Sequence, residues 1–438
     1  MGFISRRAAK GDYGRVFDLS NPGFRLRDVK PDPLAARLSP HLSRERAKTI
    51  FQELVRVPSP QTDLLEDEPE LRVFMQTALL PRMRAFDMSN VRLDAMGNLI
   101  AETGAGRSGR SLLLVTHAMN QPPSTMPDPY GGNVIDATPH GLPGEAVLGK
   151  GASEQKGTMA AMLHALEVVK KSGIALEGKL YFVCCVSGET GKHDAIRNVV
   201  EKEGVRADIA FVYGNSLKLQ LGNRGRVDAR VIVRGTASHS SRPNDGANAV
   251  TGAMELLRRL AAEIPNNRSH PQLGTAWLTC NRIESFPKST HTLQDRCEIG
   301  LDRRLLPGED ADAAIEEIAR VARSLEGWKD PLSGKPLRFD VEKGAVMHPS
   351  LVTQDSPVVR LLAAGCEAML GTAPESFYGQ SAHDQGYLNH VGIPTANFGS
   401  GEQAFAHTDL DMASVERTFD AARVYAWMIA SHLGEQKN

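Results

Sequence analysis

Most of this sequence alternates apolar strand patterns with helical patterns, and this alternation constrains the fold more than any other feature. The segments SLLLVTH (111–117) and KLYFVCCVS (179–187) are short apolar runs typical of buried strands, and a helical pattern at 157–171 lies between them. Strands and helices that alternate in this way form a largely parallel sheet covered by helices on both faces. The sequence therefore predicts an α/β fold.

The alternation is interrupted in the second half of the chain. The interrupting segment contains strand, helix, strand and helix patterns in the order 226–235, 248–264, 295–305 and 310–327. That order predicts a smaller α+β domain inserted into the larger one, because the α/β pattern returns near residue 355. We expect residues 1–225 and 345–438 to form one domain and residues 226–344 to form the inserted domain.

The charge balance excludes several classes of partner. The 438 residues include 51 Lys and Arg against 52 Asp and Glu, a net charge of -1, so no basic excess draws the chain to nucleic acid or anionic lipid. No apolar stretch approaches the ~20 residues of a membrane span, and the amino-terminal stretch lacks the apolar segment of a secretion signal. Five cysteines without a CxxC pair favour a reducing compartment. We expect a cytoplasmic protein with no nucleic-acid or membrane partner.

Acidic and imidazole side chains follow the predicted strands. They are His117 in VTHAMNQ, Glu154 in GKGASEQKG, Glu189 in VSGETGKHD and His407 in SGEQAFAHTD. Ligands of open α/β sheets collect beyond the carboxyl ends of the strands, so these four side chains can converge. Two imidazoles and two carboxylates are suited to zinc, manganese or a similar divalent ion. Any single one of them is more often an ordinary surface residue, so the hypothesis depends on their convergence.

The order of several segments resembles one enzyme family over nearly the whole chain. The strand ending in His117 is followed by an acid-x-Lys-Gly segment and by ETG, then by SHSSRPNDGANAV and LDRRLLPGED in the inserted domain, and finally by AFAHT. These segments resemble the metallohydrolases that include aminoacylase, acetylornithine deacetylase, succinyl-diaminopimelate desuccinylase and the glutamate carboxypeptidases. The resemblance implies a zinc-exopeptidase-like catalytic domain with a mostly parallel mixed sheet, a ferredoxin-like inserted lid or dimerisation domain, and a homodimer.

The resemblance also implies a ligand set for divalent metal. Relatives hold two metals, and the matching positions here are His117, Glu154, Glu189 and His407, with Glu154 standing where relatives have a bridging Asp. Asn215 falls where relatives have the acidic ligand of the first metal, and a neutral amide is a poor substitute for a carboxylate. We therefore expect one divalent ion, manganese or zinc, per chain, held by Glu154, Glu189 and His407, with His117 either completing its shell or acting as a nearby proton carrier. Asn215 is assigned to substrate contact.

The proton-transfer group differs from that of the relatives. Gly188 stands where relatives have the glutamate that acts as general base, and Met119 stands where they have the Asp that orients the first imidazole. Candidate replacements are Glu154 itself and the pair His383 and Asp384 in YGQSAHDQG. A His beside an Asp is more often a helix cap or a surface residue, and that interpretation stays open.

Three residues of the inserted domain are expected to contact substrate. His239 matches the family's histidine that reaches the site of the neighbouring subunit and polarises the substrate carbonyl. Arg304 matches the arginine that binds a substrate carboxylate, and His291 stands where relatives have an asparagine. A solvated charge at a strand end is the alternative for Arg304.

These expectations combine into one predicted function with two alternatives. The prediction is metal-dependent hydrolysis of a C–N bond in a small carboxylate-bearing molecule, with an aromatic amine of the 5-nitroanthranilate type as the specific candidate because the general base and second metal are altered. One alternative is a dinuclear N-acyl amino acid amidohydrolase or dipeptidase. The other is a non-catalytic relative that only binds a ligand. Whether the Pro/Gly-rich segment 121–150 closes over the site also stays open.

Overall fold

The computed structural model describes residues 32–264 and 266–435. Residues 1–31, 265 and 436–438 lie outside it, and with them the amino-terminal stretch for which no secretion signal is expected. In the described ranges no helix combines the length and the apolar character needed to cross a membrane.

The described residues form helices and strands in the following order. The helices are α1 (Pro33–Leu38), α2 (Arg44–Val55), α3 (Pro69–Phe74), α4 (Leu80–Ala85), α5 (Gly157–Lys171), α6 (Asp194–Glu201), α7 (Ala249–Glu263), α8 (Ala311–Arg323), α9 (Pro357–Leu370), α10 (Asp384–His390) and α11 (Val415–Leu433). The strands are β1 (Ser89–Leu93), β2 (Leu99–Thr103), β3 (Ser111–His117), β4 (Asn133–Asp136), β5 (Glu145–Leu148), β6 (Lys179–Cys185), β7 (Ile209–Val212), β8 (Leu219–Asn223), β9 (Gly225–Arg234), β10 (Ser269–His270), β11 (Gly274–Thr275), β12 (Leu278–Phe286), β13 (Arg296–Leu305), β14 (Arg338–Met347), β15 (Ser350–Leu351), β16 (Ser376–Gly379), β17 (Thr395–Asn397) and β18 (Met412–Ser414). Two π-helical turns, Met75–Leu79 and Ala152–Lys156, precede α4 and α5.

A nine-stranded mixed sheet forms the larger domain. Its order is β1-β2-β6-β3-β7-β17-β8-β15, and β16 pairs with β8. Pairing is parallel in the centre, from β6 through β3 and β7 to β17, and antiparallel where β1 and β2 join one side and where β8 and β15 join the other. The predicted α/β mixed sheet is confirmed. Parallel pairing is less dominant than expected. The antiparallel pairs come from the β1–β2 hairpin and from the strands leading to and from the inserted domain, which the sequence patterns did not predict.

The parallel centre brings the site segments to one edge. Residues of β3 and β6 are buried and apolar apart from their ends, and their register pairs His117 with Cys185. Because the pairing is parallel, the loops after the two strands leave the sheet at the same edge. Helix α5 is buried almost throughout and packs against α2 and α11, so its amino-terminal turn is fixed beside that edge.

The inserted domain is a four-stranded antiparallel sheet with two helices. The strands lie in the order β12-β13-β9-β14, and α7 and α8 follow β9 and β13 in the chain. This β-α-β-β-α-β arrangement is ferredoxin-like, as predicted. Its sheet extends from Gly225 to Met347, close to the expected limits of 226 and 344. A core of its own, which includes Val231, Ile299 and Ile318, is separate from that of the larger domain.

The segment 121–150 is not the irregular loop that its Pro and Gly content indicated. Strands β4 and β5 form a hairpin within it, and β18 adds to β5 to complete a three-stranded sheet. Val147 lies between Val134 and Ala413 in this sheet. The segment is therefore attached to the start of α11 by strand pairing that the local sequence did not reveal.

Candidate metal centre

Four predicted side chains converge at the edge of the central sheet. One ligand atom from each of His117, Glu154 and Glu189 lies within 4.8 Å of the others. His407 Nε2 lies 2.9 Å from Glu154 Oε2 and 3.5 Å from Glu189 Oε2. His117, Glu154 and Glu189 thus form one close group, and His407 lies against its two carboxylates.

His117 is held with one ring nitrogen free. It is the last residue of β3 and is fully buried, and its Nδ1 lies 2.8 Å from the backbone carbonyl oxygen of Met119. A carbonyl only accepts, so Nδ1 carries the proton and donates it, which leaves the lone pair on Nε2. Burial lowers the pKa of His117, which favours this neutral form. Met119 therefore orients the ring through its backbone, in place of the carboxylate that relatives are expected to use.

Glu154 lies on a clamped π-helical turn at the start of α5. The buried carboxylate of Asp411 accepts hydrogen bonds from the backbone of Gly151 (2.7 Å) and from both the backbone N–H (2.8 Å) and hydroxyl (2.6 Å) of Ser153. On the other side, fully buried Lys156 donates to the carbonyl of Val57 at 3.0 Å. These contacts fix the backbone on both sides of Glu154.

Glu189 and His407 compete for protons in this cluster. Burial and the adjacent Glu154 charge raise the pKa of Glu189. The hydrogen bond with Glu154 raises the pKa of His407. Gln121 donates to Glu189 Oε2 at 2.8 Å, and His407 is held in the left-handed backbone region with φ 64°. A left-handed conformation is uncommon for a non-glycine residue and is found mainly where surrounding structure or function requires it.

Two orphaned atoms support a cation at this position. Within residues 32–264 and 266–435, the buried His117 Nε2 and Glu189 Oε1 have no hydrogen-bond partner. Buried polar atoms are nearly always paired, and each of these two atoms can offer a lone pair to a cation. The donor set of carboxylate oxygen and imidazole nitrogen is the one that zinc and manganese accept. The residues fit a divalent ion, and their role as ligands stays a prediction.

Gly188 is a steric requirement of this arrangement. A Cβ built on Gly188 would lie inside van der Waals contact of the His117 ring atoms Cγ, Cδ2 and Nδ1. The ring of His117 therefore occupies the space into which a side chain at 188 would project. A glutamate at this position is incompatible with the observed ring.

Asp384 is positioned by a histidine that sequence analysis did not select. His193 Nε2 accepts the backbone N–H of His348 at 3.0 Å, so its Nδ1 carries the proton and donates to Asp384 Oδ1 at 2.9 Å. His383, the preceding residue, makes no capping hydrogen bond with its side chain, and burial lowers its pKa to about 4. His383 occupies the N-cap position of α10, so its interpretation as a helix cap stays open beside the catalytic one. In the sequence, the position of His193 in the GETGKHD segment could have indicated that it lies near the site.

Tyr213 connects these groups and was also missed. It follows β7, and its ring makes edge contacts with the rings of His117 (4.6 Å between centroids) and His383 (6.4 Å). Burial raises the pKa of Tyr213 well above its usual value, with the charges of Glu154 and Asp384 adding to the effect. It stays a neutral phenol against the cluster.

Asn215 contacts other amide groups. Its Nδ2 donates to Gln403 Oε1 at 3.2 Å, and its backbone forms an isolated bridge with Gly401. Asn215 and Gln403 thus form an uncharged, hydrogen-bonded pair. The contact of Asn215 with substrate stays a prediction.

The three predicted residues of the inserted domain contact other residues of that domain. His239 and His291 are exposed on neighbouring segments, since His239 bridges Thr292, and His239 Nδ1 is 2.8 Å from the Ser241 hydroxyl. Arg304 makes a two-point contact with Asp302, with Nε at 2.9 Å and Nη2 at 3.0 Å from its carboxylate oxygens. The structure thus brings His239 and His291 together and gives Arg304 an internal partner.

Comparison with known proteins agrees with this architecture. The family description M20_dimer, a peptidase dimerisation domain, matches residues 221–330, which cover most of the inserted domain. The acetylornithine deacetylase of Myxococcus xanthus is 26% identical over 392 residues, which cover 83% of this chain and 96% of that enzyme. The chain is thus similar to the M20 peptidase family in its inserted domain and, over most of its length, to this deacetylase. Its α/β mixed sheet and inserted domain are those of M20 structures.

Two further comparisons extend over most of the chain. The Escherichia coli K12 protein YgeY is 26% identical over 402 residues, covering 88% of this chain and 94% of YgeY. The crystal structure of aminopeptidase PepT from Bacillus cereus has a TM-score of 0.66 at 20% identity and covers 89% of this chain and 98% of its own. The PepT likeness concerns the fold alone.

Proposed function

We propose that this protein is a metal-dependent hydrolase of amide bonds in small molecules and that it works with one divalent ion per chain. The carrying observation is the convergence of His117, Glu154, Glu189 and His407, with orphaned lone pairs on His117 Nε2 and Glu189 Oε1. A divalent cation bound there supplies Lewis-acid polarisation of the scissile carbonyl and a lowered pKa for the attacking water. The relative named as acetylornithine deacetylase supports amide hydrolysis.

The proposal of a single ion rests on the position taken by Asn215. A second ion requires a carboxylate that the chain does not offer there, and the amide of Asn215 is already used in its contact with Gln403. The alternative with two metals stays open to direct measurement.

Proton transfer is assigned to Asp384 and His383. The hydrogen bond from His193 fixes the Asp384 carboxylate, and a lowered pKa keeps His383 neutral beside it. Glu154, the third candidate, is hydrogen-bonded to His407 and is assigned to the ion. Relatives have a glutamate at the position of Gly188, but here the His117 ring occupies the space that a side chain would need. The proton must therefore move through another group.

Substrate binding and dimer formation are assigned to the inserted domain. Arg304 presents a guanidinium for a substrate carboxylate, shared with Asp302. Strand β12 is an edge strand of its sheet with mostly exposed residues, among them Ile283 at 55% exposure. Unpaired strand edges favour pairing with another chain, so β12 supports a homodimer in which His239 serves the partner's site.

The test combines metal content with substrate screening. The purified protein is dialysed, its metal is quantified by mass spectrometry, and hydrolysis is assayed for N-acyl amino acids, dipeptides and substituted aminobenzoates. We expect one ion per chain and hydrolysis of N-acyl amino acids. Glu189→Gln should lose the ion, whereas the exposed Glu45→Gln should retain it. Two ions per chain would refute the single-ion proposal, and absence of any hydrolysis would refute the assigned function.

Aromatic-amine hydrolysis of the 5-nitroanthranilate type is the second candidate. The name of the deacetylase points to amide bonds instead and lends this candidate no support. The observation in its favour is the closed space at Gly188, because a substrate already activated by electron withdrawal needs less general-base assistance. Release of ammonia from the aminobenzoates, without hydrolysis of acyl amino acids, would select this candidate.

A further inference from the structure

An open cleft of about 500 Å³ lies next to the metal centre in the larger domain. Asn215 and His383 line it, and Gln403 and the segment Phe377–Ser381 complete its walls. Tyr213, which contacts the rings of both His117 and His383, separates the cleft from the metal cluster. The cleft is therefore one aromatic ring away from the candidate ligand His117.

The lining of the cleft is neutral and rich in amides. Its side chains include the carboxamides of Asn215, Gln380 and Gln403, and they include no carboxylate. The one cationic side chain in the lining, Lys218, is paired with Glu375 at 2.7 Å.

Much of the hydrogen-bonding capacity in the cleft is unused. Within the described ranges, the side chains of Gln380, Ser381 and Tyr378 make no hydrogen bond to the protein, and the amide group of Gln403 only accepts, from Asn215. Phe377 and Tyr378 add aromatic faces that are half-buried. Donors, acceptors and flat apolar surface are thus available together, without net charge.

We propose that this cleft is a substrate subsite for an uncharged planar group with both hydrogen-bond donors and acceptors, such as a carboxamide, a ureido group or a nitrogen heterocycle. The inference rests on the proposed amide hydrolysis and names its substrate class. Arg304 lies in the other domain and is assigned to the substrate carboxylate, so the cleft receives the acyl half of the molecule. The cleft has a volume in the range typical of small-molecule sites.

The selectivity follows from the hydrogen bonds that substrate and cleft can exchange. A carboxylate finds only amides and a Lys218 that is already paired, and an apolar group offers the amides no hydrogen bond. A carboxamide exchanges donors and acceptors with the amide side chains. Sites that hydrogen-bond their substrate discriminate strongly against analogues that lack the bonding group.

Three isosteric probes test this inference on the metal-loaded protein. They are N-succinamoyl-alanine, N-succinyl-alanine and N-(4-methylpentanoyl)-alanine, which differ only in a terminal carboxamide, carboxylate or isopropyl group. We expect kcat/KM for the succinamoyl compound to exceed that of each of the others by about tenfold or more. Equal or better hydrolysis of the succinyl or methylpentanoyl compound would overturn the inference while leaving the proposed function intact.

A charge variant locates the effect in the cleft. Gln403→Lys adds a cation beside Asn215 and should shift the preference toward the succinyl compound by about tenfold. Gln76→Lys adds the same charge at an exposed position outside the cleft lining and should leave the preference unchanged. If both variants shift the preference equally, the cleft is not the subsite.

A binding measurement separates the two proposals. Calorimetric titration of the metal-free protein with the same three compounds requires no turnover. Tighter binding of the succinamoyl compound in a protein that hydrolyses none of the probes would refute the proposed function and support the cleft. Equal binding of all three, or no binding of any, would overturn the cleft inference.

Discussion

Replacement of Gly188 by alanine tests the arrangement of the metal centre most directly. The added Cβ would fall inside contact distance of the His117 ring, and that ring has no free direction in which to move. It is fully buried, it donates to the carbonyl of Met119 at 2.8 Å, and its edge contact with Tyr213 is 4.6 Å between centroids. Gly188→Ala therefore has to displace either the ring or the backbone after β6.

The expected loss can be worked out from these contacts. Inserting a methyl group into a packed interior costs about 1–3 kcal/mol. Breaking the His117–Met119 hydrogen bond adds about 1 kcal/mol. We therefore expect the free energy of unfolding to fall by about 2–4 kcal/mol. Metal affinity should fall about 10- to 100-fold, as when a group that orients a ligand is lost.

The assays are denaturant unfolding of the metal-free protein and competition with a chelator for the ion. A double-mutant cycle provides the control, because His117→Ala removes the ring that the new methyl group would strike. In that background Gly188→Ala should cost less than about 1 kcal/mol. An equal cost in both backgrounds, or a Gly188→Ala protein that binds the ion as tightly as the parent, would refute the proposed packing.

Three further predictions concern pH, the turn at Glu154 and the dimer. The pKa values of Glu189 and His407 are raised, so both groups hold protons that must leave before a cation binds. Metal affinity should therefore rise steadily between about pH 6 and pH 9 in chelator competition, and a flat profile would contradict the shared-proton cluster. Asp411→Ala removes three hydrogen bonds and should lower the free energy of unfolding, measured in urea, by about 3 kcal/mol. Asp411→Asn should lower it by less. Equal losses for the two variants would show that the carboxylate does not clamp the turn. Ile283→Glu on the exposed edge of β12 should shift the protein toward monomer in sedimentation, whereas Leu64→Glu, exposed on the larger domain, should not; a dimer that tolerates both would place the interface elsewhere.

Residue type and strand-end position were enough to select the four side chains of the metal cluster. His117 ends a buried strand and Glu189 follows another, and parallel neighbours necessarily end at one edge. The same reasoning could not select Tyr213 or His193. Their relevance depends on ring contacts and on a hydrogen bond to Asp384, which lies 191 positions away in the sequence.

The sequence alone determined the α/β class, the inserted α+β domain and the candidate ligands, because apolar periodicity and residue chemistry are local properties. Tertiary structure alone decided which atoms are free and which are paired. The backbone carbonyl of Met119 replaces a side chain that the sequence lacks, the ring of His117 explains Gly188, and β18 turns a Pro/Gly-rich segment into a sheet. Each of these depends on contacts between residues whose side chains, or backbone, meet only after folding, so no pattern in the chain could reveal them.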